Sequence, residues 1–189
     1  TYRPFVPTTN EVVFVGNKYK VESGKRRNDF IEKLRAYGLL VYGEGWRGET
    51  FPMHGKEKAD LYFLKASAVL SVSATNTEEF MTSNRLIDAL ASGSRVFAQS
   101  FPGLDLLIPA PAKLVTFEAF GEGAQLIQEE QTRAPWLKFL SDPLHGEINA
   151  YVAYNFRSWR AAVGEVIAEI NDYARIKRHS PGFSTEKVP

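Results

Sequence analysis

The stretch Ala68–Gly103, AVLSVSATNTEEFMTSNRLIDALASGSRVFAQSFPG, leaves few options for the fold. It opens on a short apolar run, Ala68–Val72, of the kind a buried strand makes. A polar loop, Ser73–Phe80, leads into a helix expected over about Thr82–Ser92. Gly93 stops that helix, Arg95–Ala98 reads as a second short strand, and Pro102-Gly103 marks a turn. Strand, loop, helix, strand is a βαβ unit. In sheets built from such units, ligands gather at the carboxyl ends of the strands.

The rest of the chain repeats the theme. Glu11–Val15 (EVVFV), Leu39–Tyr42 (LLVY) and Lys113–Phe117 (KLVTF) are further short strands, with the near-continuous apolar character of parallel strands covered on both faces. Between them fall expected helices at about Arg26–Tyr37, with Phe30, Ile31 and Leu34 as its apolar stripe, and at Lys56–Lys65 and Glu118–Gln131. A helix pair through Trp136–Leu140 and Gly146–Arg175 follows, with Tyr151, Tyr154, Phe156, Trp159, Val163, Val166, Ile167 and Ile170 as an aromatic-rich face that fits either a crossing to a partner domain or core packing within this one. The expected fold is α/β: a Rossmann-like, doubly wound parallel sheet in a single domain over residues 11–175, with C-terminal helices. Residues 1–10 read as an extended linker and 176–189 as a flexible tail.

Composition narrows the function classes. A formal charge of +1 gives no bulk signal for nucleic acid or membrane. The absence of cysteine excludes disulfides and Cys-ligated metals and suits a cytoplasmic protein. The three histidines, His54, His145 and His179, are too far apart in sequence to suggest a metal site. There is no bilayer-length apolar run and no signal-peptide pattern. An opening Thr suggests a processed or excised piece.

Chemistry concentrates at two helix starts. Thr82, Ser83 and Asn84 are good N-cap residues, and the unpaired N–H groups and positive dipole end of a first helical turn accept phosphate. Arg85 adds a fixed charge with a bidentate fork, and Asp88, on the same face, is placed to hold ribose hydroxyls. The same residues also fit an ordinary capped helix with an Arg85–Asp88 surface pair. Lys25, Arg26 and Arg27 cluster where the first strand hands over to the first helix, against the dipole of that helix. Trp46, in the Gly-rich turn GEGWRG after the second strand, fits stacking on a base or sugar, but its area favours packing.

The run Asn84-Arg85-Leu86-Ile87-Asp88-Ala89-Leu90-Ala91-Ser92-Gly93, followed by Phe101-Pro102-Gly103-Leu104, resembles the signature of GT-B glycosyltransferases. The likeness is to the C-terminal, donor-binding domain of the family-4-like and CgeB-like group, and it extends to the strand glycine Gly16 and the Tyr42-Gly43…Trp46 turn. It implies a nucleoside-diphosphate-sugar donor as substrate, with no further cofactor and no metal. Lys25, Arg26, Arg27, Ser83, Asn84 and Arg85 would meet the diphosphate and Asp88 the ribose. The family's acidic residue is usually Glu, one methylene longer than Asp88, and the upstream Glu of the motif falls on Phe80, with Glu78 and Glu79 just before it. The resemblance further implies an N-terminal partner domain, in cis or in trans, supplying the acceptor site and any catalytic base. The acceptor and the catalytic residues are unknown, and this chain alone is expected to be inactive as a transferase. A non-catalytic binding module on the same fold is the alternative. A flavodoxin-like regulatory domain ranks last, for want of the strand-end Asp that phosphoryl acceptance needs.

Overall fold

The computed structural model describes residues 11–47, 68–73, 83–157, 163–164 and 166–172. Five strands form one sheet: β1 (Val12–Val15), β2 (Leu40–Tyr42), β3 (Ala68–Ser71), β4 (Val96–Gln99) and β5 (Val115–Phe117). All four pairings are parallel, and the spatial order is β2-β1-β3-β4-β5. Register runs Val13 to Leu40 and Val12 to Ala68 on either side of β1. Because β2 and β3 lie on opposite sides of β1, the direction of winding reverses between β1 and β3. The crevice at the carboxyl ends of those two strands is therefore the topological switch point.

The helices are α1 (Lys25–Arg35), α2 (Asn84–Ala91), the single turn α3 (Leu104–Leu107), α4 (Phe120–Gln128), α5 (Glu130–Leu140) and α6 (Pro143–Arg157). Strand periodicity divides the core in two. Val12, Phe14, Leu70, Phe97 and Phe117 point to one face, where Ile31 and Leu34 of α1, Ile127 of α4 and Leu137 of α5 cover them. Val13, Val15, Val69, Val96 and Ala98 point to the other, against Leu86, Ala89 and Leu90 of α2 and Ala153 of α6. A sheet clothed on both faces is what doubly wound means, so the expected fold class stands. Asn149 of α6 pins the second layer: its side chain accepts from Lys113 N at 2.6 Å and donates to Lys113 O at 2.8 Å, on the approach to β5.

One expectation needs correction. The single helix over 118–131 is broken: α4 begins at Phe120, behind a Glu122 carboxylate that accepts from Glu118 N, and Glu129 is extended before α5 starts. On the C-terminal helix face, Tyr151, Tyr154, Val163, Val166, Ile167 and Ile170 are exposed, so of the two readings of that face core packing is not the one these six support. The linker 1–10, the expected helix at Lys56–Lys65, most of the loop before α2, including Thr82, and the tail 176–189 lie outside the described residues.

Candidate functional site

The switch-point crevice is built by three loops and one long side chain. After β1, Gly16 N donates to Tyr42 O at 2.8 Å and Lys18 N to Glu44 O at 2.8 Å, so the loop after β1 lies along the loop after β2. Gly43 adopts φ +130°, and a Cβ there would sit 2.4 Å from Gly16 O. That approach needs glycine. Trp46 closes the seam, donating from its indole nitrogen to Gly16 O at 2.7 Å and meeting Phe14 edge to face. It is 6 % exposed, so it packs, as its area favoured.

Arg85 crosses the crevice. It starts from α2, beneath one face of the sheet, and its guanidinium ends 4.2 Å from the centre of the Phe14 ring, which belongs to the other face. On the way Nε donates to Val15 O and Nη1 to Val72 O at 2.9 Å, tying the carboxyl ends of β1 and β3 together. Nη1 also reaches the Ser83 hydroxyl at 3.2 Å. A Cβ on Gly16 would stand 2.5 Å from Nη2, so the glycine makes room for the guanidinium.

Arg27 approaches the same ring from α1. Its guanidinium lies 5.4 Å from the Phe14 centroid and 3.8 Å from that of Tyr19, and Nη2 donates to Asn17 O at 2.6 Å. Asn28 holds this loop by pairing with both backbone groups of Tyr19, accepting from its N–H at 3.2 Å and donating to its carbonyl at 2.8 Å. Burial lowers Arg27 to about 10, with the charge of Arg85 adding to the fall, so it stays protonated near neutrality. Two cations therefore share one apolar floor. Its Nε finds no hydrogen-bond partner among the described residues, nor does Oε1 of the buried Gln99 at the carboxyl end of β4. Buried polar atoms of this kind each cost about 1–3 kcal/mol.

The seven residues singled out in the sequence fall into three places. Arg27 and Arg85 are buried in the crevice wall. Ser83, half-buried, caps α2 through its backbone, without a side-chain capping bond; Asn84 is exposed beside it, and Asp88 lies half-buried one turn on. Lys25 and Arg26 are exposed and diverge, Lys25 toward Glu22 at 3.5 Å and Arg26 over the Phe120 ring. Consecutive helix positions lie about 100° apart, so Lys25, Arg26 and Arg27 do not share a target. Sequence reasoning missed Asn17, Tyr19 and Asn28, whose roles depend on backbone contacts with no sequence pattern.

At the same end of the sheet, beyond β4, a cavity of about 670 Å³ is lined by Ser100, Phe101, Pro102, Asp105, Thr116 and Glu118 among others. Gly103, at φ +81°, turns the chain into α3 beside it. Among the described residues no group of three or more metal-capable side chains occurs, and no helix is long and apolar enough to cross a membrane.

This architecture is a Rossmann-like fold of the kind found in glycosyltransferases of GT-B type. The chain has the fold of AviGT4, a glycosyltransferase involved in avilamycin A biosynthesis, with a TM-score of 0.55 and 15% identity, covering 93% of this chain and 54% of that one. A sucrose-phosphate synthase from Thermosynechococcus elongatus matches with a TM-score of 0.55 and 14% identity, over 89% of this chain and 50% of the other. An alpha1,3-fucosyltransferase matches at 0.50 and 18% identity, over 70% and 36%. The chain thus spans about half the length of the first two. No protein-family model matches the sequence, and no curated protein matches it. The likeness is one of fold, and on that level the resemblance read from residues 84–104 holds.

Proposed function

We propose that this chain is the donor half of a GT-B glycosyltransferase, binding a nucleoside-diphosphate sugar in the crevice between the carboxyl ends of β1 and β3. The observation that carries this reading is the arginine pair. Arg85, from the first turn of α2, and Arg27 place two guanidinium groups around Phe14 at the switch point. Fixed charge in a low-dielectric wall, joined to a helix dipole, favours a diphosphate and stabilises it as a leaving group without reorganisation. In this reading Ser83, Asn84 and the α2 amides meet the diphosphate, and Arg27 and Arg85 act on it from within the wall. The exposed Lys25 and Arg26 approach from the first loop, and Asp88 accepts from the ribose hydroxyls.

Transfer of the sugar to an acceptor hydroxyl then needs a second domain, in cis or in trans, for the acceptor and the base. The exposed apolar side chains Leu144, Tyr151 and Tyr154 on α6, with Val166, Ile167 and Ile170 beyond it, offer such a domain a surface. A second reading has its own support. Arg85 and Arg27 bond backbone carbonyls, which is also what a purely structural arginine does, so the alternative is an interaction module without donor binding.

A thermal-shift panel with UDP, GDP, ADP and their sugars, run on the wild type and Asp88→Ala, separates the two. Ligand at about a hundred times its dissociation constant adds roughly 2.7 kcal/mol of stability. Donor binding gives a shift with one base that Asp88→Ala abolishes; an interaction module gives none with any.

A further inference from the structure

We propose that the outer edge of β5 takes up an extended peptide as an added strand, with a lysine or arginine of that peptide seated in the cavity beside Asp105 and Glu118. The proposal goes beyond donor binding and does not depend on it. β5 closes the sheet on one side: it pairs with β4, and among the described residues no strand lies beyond it. An open edge of this kind is a template for a further strand.

The ladder fixes where the backbone groups of that edge point. Val115 and Phe117 stand in register with Phe97 and Gln99, and Phe117 O accepts from Ser100 N at 2.8 Å. Backbone groups of successive strand residues point to opposite sides, so those of Leu114, Thr116 and Glu118 point away from β4. Glu118 N, at the end of this row, accepts no strand because it already donates to the Glu122 carboxylate at 2.8 Å. Thr116 is exposed, and its N–H and C=O have no partner among the described residues. The edge is therefore open at Thr116 and closed one step beyond it.

What lies beside that edge selects the peptide. Strand alternation sends the side chains of Leu114 and Thr116 to the face opposite Val115 and Phe117, where they line the cavity of about 670 Å³ together with Phe101, Leu104 and Ile108. A strand added along β5 sends every second side chain into the same space. Phe101 and Ile108 are buried and Leu104 and Leu114 half-buried, which gives the cavity an apolar floor. Asp105 and Glu118, which also line it, are exposed, and among the described residues neither carboxylate is in a salt bridge. No lysine, arginine or histidine among those residues lines the cavity to balance them. An apolar trough with uncompensated negative charge matches a side chain with an aliphatic stem and a cationic head. The volume lies within the range of ligand pockets, so a long side chain enters without displacing the floor.

Fluorescence anisotropy of the full chain with a labelled peptide of alternating threonine and valine and one central lysine tests this. Binding with a Kd below about 1 mM is expected, at least about tenfold tighter than for the same peptide with glutamate in place of lysine. Asp105→Asn and Glu118→Gln change exposed side chains and leave the fold intact by circular dichroism. Each is expected to weaken binding of the lysine peptide several-fold and not to weaken that of the glutamate peptide. Thr116→Pro removes the outward N–H, which an edge strand tolerates, and is expected to abolish binding. N-methylation of the peptide backbone does the same with the wild-type chain, so the edge is tested even where Thr116→Pro fails to fold. N-acetyl-lysine methylamide, which has the stem and head but no strand, is expected to bind at least about tenfold more weakly than the peptide. Equal binding of the lysine and glutamate peptides, undiminished binding of the N-methylated peptide, equally tight binding of the lone lysine derivative, or no binding of the lysine peptide up to roughly 1 mM overturns the proposal.

Discussion

Gly16 and Arg85, 69 positions apart in sequence, compete for one small volume: a Cβ on the glycine would lie 2.5 Å from Nη2 of the arginine. The same arginine ties Val15 O to Val72 O, so the glycine at the end of β1 is a condition for closing the switch point. Gly16→Ala is expected to destabilise the domain by about 1–3 kcal/mol, because the guanidinium must leave its carbonyls or the strand end must move. Arg85→Ala removes both bonds and is expected to cost about 2–4 kcal/mol. In the Arg85→Ala background the added cost of Gly16→Ala falls by at least about 1 kcal/mol, since the clash is gone. Urea denaturation of the four proteins measures this coupling, and strictly additive effects would contradict it.

Gly43 is the second glycine with no substitute. Its φ of +130° and the 2.4 Å approach to Gly16 O act together, and the neighbour is backbone, which does not yield. Gly43→Ala is therefore expected to cost about 2–4 kcal/mol and to separate the loops after β1 and β2. By contrast Gly121 of α4 has open space around it, and Gly121→Ala is expected to be neutral or stabilising by up to about 1 kcal/mol. Melting temperatures of the pair make the comparison direct.

The pH dependence of stability has a definite sign. Burial lowers Arg27 and Arg95 to about 10 in the folded chain, below the ordinary range of a guanidinium. For a base this penalises the protonated folded state. The penalty is complete below about pH 10 and is relieved as pH rises above it, where the unfolded chain binds more protons than the folded one. Between pH 6 and 9 the stability difference between wild type and Arg27→Met is thus expected to stay constant. Above about pH 10 the wild type gains on the variant. A difference that changes through neutrality, measured by urea denaturation at a series of pH values, would contradict this assignment.

Most of the fold was legible because its signals are local. Short apolar runs such as Val12–Val15 and Ala68–Ser71 are buried on both faces and read as parallel strands, and Gly38 and Gly93 stop helices where positive φ is needed. The break between α4 and α5 was not legible, because nothing at Glu129 departs from helical composition. At the site, the helix start at Ser83–Arg85 announced itself through N-cap chemistry. The reach of Arg85 across the sheet did not, since it depends on a missing Cβ at Gly16 and on two carbonyls from different strands. Charge alone likewise put Arg26 and Arg27 together, whereas the helix sends one outward over Phe120 and buries the other.

The most direct test of the account is where a nucleoside diphosphate touches the protein. Amide chemical-shift mapping of the ¹⁵N-labelled chain with UDP, GDP and ADP resolves this residue by residue. One base is expected to perturb Gly16–Lys18 and Ser83–Asp88 together. Perturbations confined to the cavity beside Asp105 and Glu118, or none with any of the three, would contradict a donor site at the switch point.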